Sequence, residues 1–180
     1  MIFTETALPG AFVIDPERRT DDRGFFARSF CAQEFAEHGL NPRVVNTNLS
    51  YNARRATLRG MHFQQHPYQE AKLVRCTHGA IYDVIIDLRP TSETFGKWIG
   101  VELTAEASRL LYVPEGFAHG FETLEDATEV TYQVSEFYTP GSEGGLRYDD
   151  PMFTIDWPLP VAVISDKDAS WPEFERTLVS

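Results

Sequence analysis

Short apolar runs alternate along the chain with turns rich in Gly, Pro, Asn and Asp, a pattern typical of antiparallel sandwiches and barrels. The clearest alternation lies in residues 128–135, where Val130, Tyr132 and Val134 share one face and polar residues occupy the other. Tyr132 is therefore expected to point inward. The runs predict strands at residues 11–14, 25–30, 43–50, 57–63, 72–76, 80–88, 97–103, 109–113, 119–123 and 128–135.

Helices are a minor feature of the pattern. One short helix is predicted at residues 32–38, because Gly39 supplies a left-handed stop, and a second short one is predicted after Pro172. A chain of 180 residues that is 42% hydrophobic has enough apolar material for one well-formed core and too little for two. We therefore expect a single all-β domain over residues 1–180, with short peripheral helices.

Charge and cysteine content exclude several classes of function. The formal net charge of −11 argues against a nucleic-acid surface, which requires a basic field. No segment reads as a signal peptide or as a membrane span. Cys31 and Cys76 form no CxxC pair, so the spacing supports neither a disulfide scaffold nor a cysteine zinc site. We expect a cytoplasmic protein with no membrane or nucleic-acid partner.

Histidines raise the question of a metal site. His62, His66 and Glu70 follow an HxxxHxxxE pattern, and Pro114 to His119 match the PxGxxH half of the signature of cupins, many of which bind a metal. On a strand, however, positions four apart lie about 13 Å from each other, too far to share one ion. We therefore predict no metal and assign His66 to a turn. His119 is left open between a packed core residue and a site residue.

Polar residues on several predicted strands would converge on one barrel interior, the usual place for a small-molecule site. They are Arg59, His62, Lys72, Arg75, His119 and Tyr132. Strict alternation puts Arg59 and His62 on opposite faces of their strand. If both serve one pocket, Gly60 must permit a bulge between them.

Eight ordered motifs carry a resemblance that covers residues 21–171. They are LRGMHFQ, AKLVRC, GAIYDVIIDLR, SETFGKWIGVEL, YVPEGFAHGFETL, TYQVSEFYTP, SEGGLRYDDP and ISDKDASWP. The chain resembles the dTDP-4-dehydrorhamnose 3,5-epimerase family of the cupin superfamily. The resemblance implies a cupin-type antiparallel β-barrel or jelly roll and a metal-free, cofactor-independent isomerase of dTDP-rhamnose biosynthesis. It also implies a nucleotide-diphosphate 4-keto-6-deoxy sugar as substrate, and a homodimer with exchanged N-terminal strands.

The same resemblance implies catalytic roles. His62 matches the family's base, and Asp168 matches the aspartate that orients this histidine. Asp168 is preferred over Asp166 because the family's aspartate directly follows a lysine. Lys72 matches the lysine that meets the enolate oxygen. Tyr132 matches the acid that returns a proton from the opposite face. Substrate-binding roles are implied for Arg23, Phe26, Asn48, Arg59, His119, Tyr138 and Glu143.

Arg28 departs from the family pattern, since it stands where dTDP-sugar enzymes often carry Glu. A guanidinium has only donors and would face the thymine N3 hydrogen unfavourably, whereas cytosine and guanine present acceptors. Either Arg28 contacts a base other than thymine, or it points to solvent or to an acidic neighbour. The rival functions are a single-centre epimerase acting on a CDP- or GDP-linked sugar, a sugar-nucleotide 3,4-ketoisomerase, and a catalytically silent binding module.

Overall fold

Two antiparallel sheets packed face to face form the framework of the fold in the computed structural model, which describes residues 1–175. Strands are numbered in chain order. The six-stranded sheet has the order β1 (Ile2–Glu5), β2 (Phe12–Asp15), β10 (Leu110–Val113), β7 (Lys72–His78), β12 (Thr128–Val134) and β5 (Asn46–Asn52). This architecture confirms the predicted all-β, cupin-type fold.

The second sheet has five strands. Its order is β13 (Glu143–Gly145), β6 (Leu58–Gln64), β11 (Phe117–Thr123), β8 (Ala80–Asp87) and β9 (Trp98–Thr104). A separate hairpin joins β3 (Arg19–Asp21) to β4 (Gly24–Phe26), and the described residues contain two short helices, α1 (Ala32–Glu37) and α2 (Asp166–Ala169). No helix within residues 1–175 has the length and apolarity needed to cross a membrane.

The core is divided by the sheets into three layers. Side chains such as Val74, Ile85 and Val130 fill the space between the two sheets. Ile86 points the other way from β8, to the outer face of the five-stranded sheet, where residues after β13 cover it. Phe35 of α1 packs on the outer face of the six-stranded sheet. Because β8 is buried on both faces, its sequence is a nearly continuous apolar run rather than an alternation.

A bulge in β6 confirms the role predicted for Gly60. His62 pairs with His119 and Arg59 with Phe121, so β6 spans three residues where β11 spans two. Gly60 has φ +117, and a Cβ there would lie 2.6 Å from the Cα of Gly120. Only glycine fits such a backbone and such a close approach. The extra residue lets Arg59 and His62 reach the same side of the sheet.

The structure corrects several predicted elements. The strands β1, β3 and β13 were not predicted, because their sequences, IFTE, RTD and EGG, contain at most two apolar residues each. The strand predicted at 25–30 is wrong beyond Phe26, where the chain leaves the hairpin. Residues 173–175 are not helical, and the remainder of the helix predicted after Pro172 lies outside the described residues. The helix predicted at 32–38 is confirmed as α1.

Candidate active site

A pocket lies between the inner faces of the two sheets and has two lobes that share His62, Lys72 and Tyr132. The arginine lobe, of about 290 Å³, is also lined by Leu49, Ser50, Tyr51, Arg59, His119 and Phe121. The carboxylate lobe, of about 230 Å³, is also lined by Asn46, Asn48, Phe63, Gln64, Glu70, Val134, Tyr138 and Glu143. Most of the site residues predicted from the sequence therefore line this one pocket.

His62 and Asp168 form a hydrogen-bonded pair at the wall of the pocket. Nε2 of His62 lies 2.7 Å from Oδ1 of Asp168, and the amide of Gly60 donates to Oδ2 at 3.1 Å. Since a carboxylate only accepts, Nε2 carries the proton and the basic lone pair of the neutral ring is on Nδ1. The predicted choice of Asp168 as the partner of His62 agrees with this geometry.

The environment of Asp168 keeps it ionised. Burial raises the pKa of Asp168, but the hydrogen bond from His62, helped by donors from Gly60 and Ser165, outweighs burial and holds the pKa below its ordinary value. Ser165 caps α2 by accepting from the amide of Asp168 at 3.1 Å. A short, capped helix therefore presents a fixed negative charge to the histidine.

Lys72 and Tyr132 lie on the six-stranded sheet, which forms the wall opposite His62. Nζ of Lys72 is 3.3 Å from Oε1 of Glu70, and both side chains are largely buried. Burial and then the negative charge of Glu70 raise the pKa of the Tyr132 phenol, and these effects outweigh the opposing charge of Arg59. The phenol therefore holds its proton at neutral pH.

A second histidine–aspartate pair stands beside the first. His119 lies directly opposite His62 across the β6–β11 pairing, and its Nε2 is 2.7 Å from Oδ1 of Asp83. Both side chains are buried, although His119 still reaches the arginine lobe. Oδ2 of Asp83 is buried without a hydrogen-bond partner among the described residues. His119 is thus both packed and pocket-lining, and its binding role stays a prediction.

Several polar residues at the rim match the predicted binding set. Arg59 is fixed by its Nε, which donates to Oδ1 of Asn52 at 2.6 Å. Asn48 faces the pocket next to Tyr132, its cross-strand partner. Tyr138 is 61% exposed at the mouth of the carboxylate lobe. Glu143 accepts a hydrogen bond from Lys167 at 2.6 Å.

Three predicted substrate-binding residues do not line this pocket in their own chain. Phe26, on the β3–β4 hairpin, is 71% exposed, and Arg23 pairs with Asp21 at 2.6 Å. Arg28 donates to Glu34 at 2.7 Å. Arg28 therefore has the acidic neighbour that was one of the two alternatives for it. The binding roles of these three residues stay predictions.

Sequence reasoning missed several residues of the pocket. Glu70 was set aside with the metal motif, yet it precedes Lys72 by two and thus shares its face of the chain. Asp83, which holds His119 but lines neither lobe itself, is a carboxylate within a largely apolar strand, and that was a usable signal. His66 is exposed in a turn, as predicted. Within residues 1–175 no three His, Cys, Asp or Glu side chains are grouped so that they could hold a metal ion.

The arrangement suits proton transfer at carbon next to a carbonyl group. A histidine held by a carboxylate can remove the proton, a lysine can stabilise the negative charge that develops on oxygen, and a protonated phenol on the opposite wall can return a proton. Acid and base on opposite walls would attack opposite faces of a flat intermediate.

Comparison with known proteins gives a consistent result. A model of the dTDP-4-dehydrorhamnose 3,5-epimerase family matches residues 5–176. The enzyme of that name from Methanothermobacter thermautotrophicus is 46% identical, over 94% of this chain and 92% of its own.

Solved structures agree with the sequence relatives. The Bacillus anthracis dTDP-4-dehydrorhamnose 3,5-epimerase with TDP and PPi bound is 41% identical, with a TM-score of 0.93 over 96% of this chain and 99% of its own. A dTDP-6-deoxy-D-glucose-3,5-epimerase from Legionella pneumophila, in complex with dTDP-4-keto-L-rhamnose, is 37% identical, with a TM-score of 0.90 over 99% of this chain and 94% of its own.

Proposed function

The chain belongs to the dTDP-4-dehydrorhamnose 3,5-epimerase family, and from this premise we propose that it inverts C3 and C5 of dTDP-4-dehydro-6-deoxyglucose in dTDP-rhamnose biosynthesis. One observation carries the proposal: the His62–Asp168 pair faces Tyr132 across a pocket that also holds Lys72. The proposed location is the cytoplasm.

The proposed mechanism moves only protons. His62 takes the proton from C3, and the electrons of the broken C–H bond move onto the C4 oxygen to give an enolate. The ammonium group of Lys72 stabilises that oxygen. Tyr132 then donates its proton to the opposite face of C3, which inverts the centre. Before C5 reacts, His62 releases to solvent the proton that it took, and Tyr132 regains one from solvent. The same sequence at C5 then inverts the second centre, and no redox step or cofactor is needed to balance either.

Thymine is the proposed base. Both solved relatives described above carry thymidine nucleotides in their names, and the pairing of Arg28 with Glu34 removes the main reason to expect another base. The 3,4-ketoisomerase alternative is less favoured, because Tyr132 occupies the wall opposite His62, where inversion requires an acid.

A substrate panel tests the function. The protein is incubated with dTDP-, CDP- and GDP-linked 4-keto-6-deoxyglucose, and the products are followed by proton NMR. We expect inverted product from the dTDP sugar, and loss of at least about 100-fold in rate for His62→Ala. The matched control is His66→Ala, which changes an exposed turn histidine and should retain full activity. Preferential turnover of the CDP or GDP sugar would overturn the choice of base.

We also propose that the protein acts as a homodimer in which the β3–β4 hairpin reaches the pocket of the second copy. Large apolar side chains are exposed on the hairpin and on β5, an edge strand: Phe25 50%, Phe26 71%, Leu49 62% and Tyr51 59%. Exposed apolar side chains of this size are typical of protein–protein interfaces. A second copy would bring Arg23 and Phe26 to a site that they do not reach within their own chain.

Complementation between inactive variants tests the exchange. His62→Ala is expected to be inactive, and Arg23→Ala combined with Phe26→Ala is expected to bind substrate poorly. A mixed dimer contains one site with both defects and one site with neither, so mixing the two proteins should restore activity. Mixed dimers that form by native mass spectrometry yet show no recovered activity would contradict the exchange.

A further inference from the structure

Gln64 lies on β6 two residues after His62, at the floor of the carboxylate lobe, and is only 5% exposed. Its side chain lies between the β6–β7 loop, residues 65–71, and the β12–β13 loop, residues 135–142, which carries Tyr138. We infer that Gln64 is a positioning residue that fixes Tyr138 for binding the nucleoside of the substrate. This inference rests on the proposed function and on the substrate-binding role that the family resemblance implies for Tyr138, which we take to be contact with the base.

The amide of Gln64 clamps the backbone on both sides of Tyr138. Its Nε2 donates to the carbonyl of Phe137 at 3.2 Å, and its Oε1 accepts from the amide of Thr139 at 2.9 Å. One side chain thus holds the residue before Tyr138 and the residue after it. These hydrogen bonds to the flanking backbone fix the position from which the Tyr138 ring projects, although the ring itself is exposed.

The other hydrogen bonds of the Gln64 amide connect the β12–β13 loop to the β6–β7 loop. Nε2 also donates to the carbonyl of Tyr68 at 2.9 Å, and Oε1 also accepts from Oγ of Ser142 at 3.1 Å. A primary amide has two N–H donors and two acceptor lone pairs, so these four bonds use all of them. A fifth contact, to Oε2 of Glu70, is long at 3.5 Å.

Because the side-chain amide of Gln64 is fully hydrogen-bonded to the protein, Gln64 takes no direct part in the reaction. No polar atom of its side chain is left for the reacting sugar, so its effect must pass through the loops. Glutamate cannot replace it, because a carboxylate lacks the N–H groups that the carbonyls of Tyr68 and Phe137 need. A positioning role for the nucleoside predicts that Gln64 governs the binding of substrate and of dTDP, and leaves the rate of the bound substrate nearly unchanged.

Binding and turnover of a Gln64→Leu variant test the inference. Titration calorimetry with dTDP should show affinity weakened about tenfold, which corresponds to about 1.4 kcal/mol. KM should rise by a similar factor, whereas kcat should stay within about twofold. The control is Gln65→Leu, the exposed neighbour, which should match the unaltered protein. A fall in kcat with unchanged dTDP affinity would overturn the inference.

A double-mutant cycle distinguishes positioning from a general structural effect. In a Tyr138→Ala background, Gln64→Leu should weaken dTDP binding by much less than tenfold, because the group that Gln64 positions is gone. Equal effects in both backgrounds would overturn the inference alone. Unchanged dTDP affinity of Tyr138→Ala would instead overturn the proposed nucleoside contact, and the inference with it.

Ser142→Ala provides a milder variant should Gln64→Leu fold poorly. It removes a hydroxyl that lies 3.1 Å from Oε1 of Gln64 and 2.7 Å from the carbonyl of Thr139, and it leaves the amide of Gln64 in place. The expected result is a two- to threefold loss of dTDP affinity with unchanged kcat. Affinity equal to that of the unaltered protein would count against the clamp.

Discussion

At the scale of single residues, the two histidine–aspartate pairs differ in how far sequence could reveal them. Asp83 lies on a strand that pairs with that of His119, and a carboxylate within the apolar run of β8 indicates a buried charge that needs a partner. Asp168 is 106 residues away from His62 in the chain. No local pattern joins residues so distant, so only the family resemblance pointed to Asp168.

The phenol of Tyr132 offers the sharpest test at this scale. Tyr132→Phe removes one oxygen and keeps the ring that packs against the core, so the fold should persist. Because His62 and Lys72 remain, deuterium should still enter C3 from heavy water, whereas formation of inverted product should fall by about 100-fold or more. NMR reports both quantities in one experiment.

The control for this change is Tyr148→Phe, which alters a tyrosine that does not line either lobe. That variant should invert substrate at the normal rate. Undiminished inversion by Tyr132→Phe would show that another group is the acid.

At the scale of elements, β6 supplies much of the site, since it carries Arg59, His62 and Gln64. The bulge that aligns the first two was predictable, because glycine between two polar residues of a strand is a known signal. The helix α2 was missed because four residues give no helical period. Its signal was Ser165 followed three residues later by Asp168, the spacing of a capping box, although here Asp168 bonds His62.

Gly60→Ala tests the bulge. A Cβ at this position would lie 2.6 Å from the Cα of Gly120 and 2.8 Å from the carbonyl of His119, so β6 and β11 must separate. We expect a loss of stability of about 2–4 kcal/mol and a fall in activity of at least about tenfold, because strain is added to steric overlap. Urea unfolding and steady-state kinetics measure the two effects.

Gly39→Ala is the matched control for positive φ without overlap. Gly39 has φ +72, and a Cβ there would meet nothing within 4 Å. Gly39→Ala should lower the free energy of unfolding by only about 1 kcal/mol and leave activity intact. Equal losses from the two changes would contradict a specific role for the bulge.

At the scale of the whole molecule, the apolar pattern sufficed for an all-β fold but not for the order of its strands. The pairing of β2 with β10 joins Phe12 to Tyr112, and no local signal spans that separation. The position of the β3–β4 hairpin is likewise not indicated by any local sequence signal. Its exposed Phe26 is unexplained within one chain and becomes reasonable only in the proposed dimer.

Acid stability of the whole molecule should depend on Asp87. This buried carboxylate accepts from Arg89, Ser92 and Thr94, and these bonds outweigh burial and lower its pKa to about 2, from an ordinary 3.8. A lowered pKa in the folded state adds stability above about pH 4, and this stability is lost as pH falls through about 2. The effect is about 2 kcal/mol.

Urea unfolding at several pH values measures this contribution. At pH 7 the free energy of unfolding of Asp87→Asn should be about 2 kcal/mol lower than that of the unaltered protein. Between pH 4 and pH 2 the free energy of unfolding should fall less for Asp87→Asn than for the unaltered protein. Asp22→Asn, at an exposed turn of the hairpin, is the control and should behave like the unaltered protein. An unchanged acid dependence in Asp87→Asn would contradict the assignment.

One pocket is proposed to invert two carbons by proton exchange with solvent, and this proposal is tested by the mass and NMR spectra of product formed in heavy water from unlabelled dTDP-4-dehydro-6-deoxyglucose. We expect two deuterium atoms per product molecule, one at C3 and one at C5, with both centres inverted. The His62→Ala variant should introduce no label. From the unaltered protein, product without label, or with label and inversion at only one of the two carbons, would contradict the proposal.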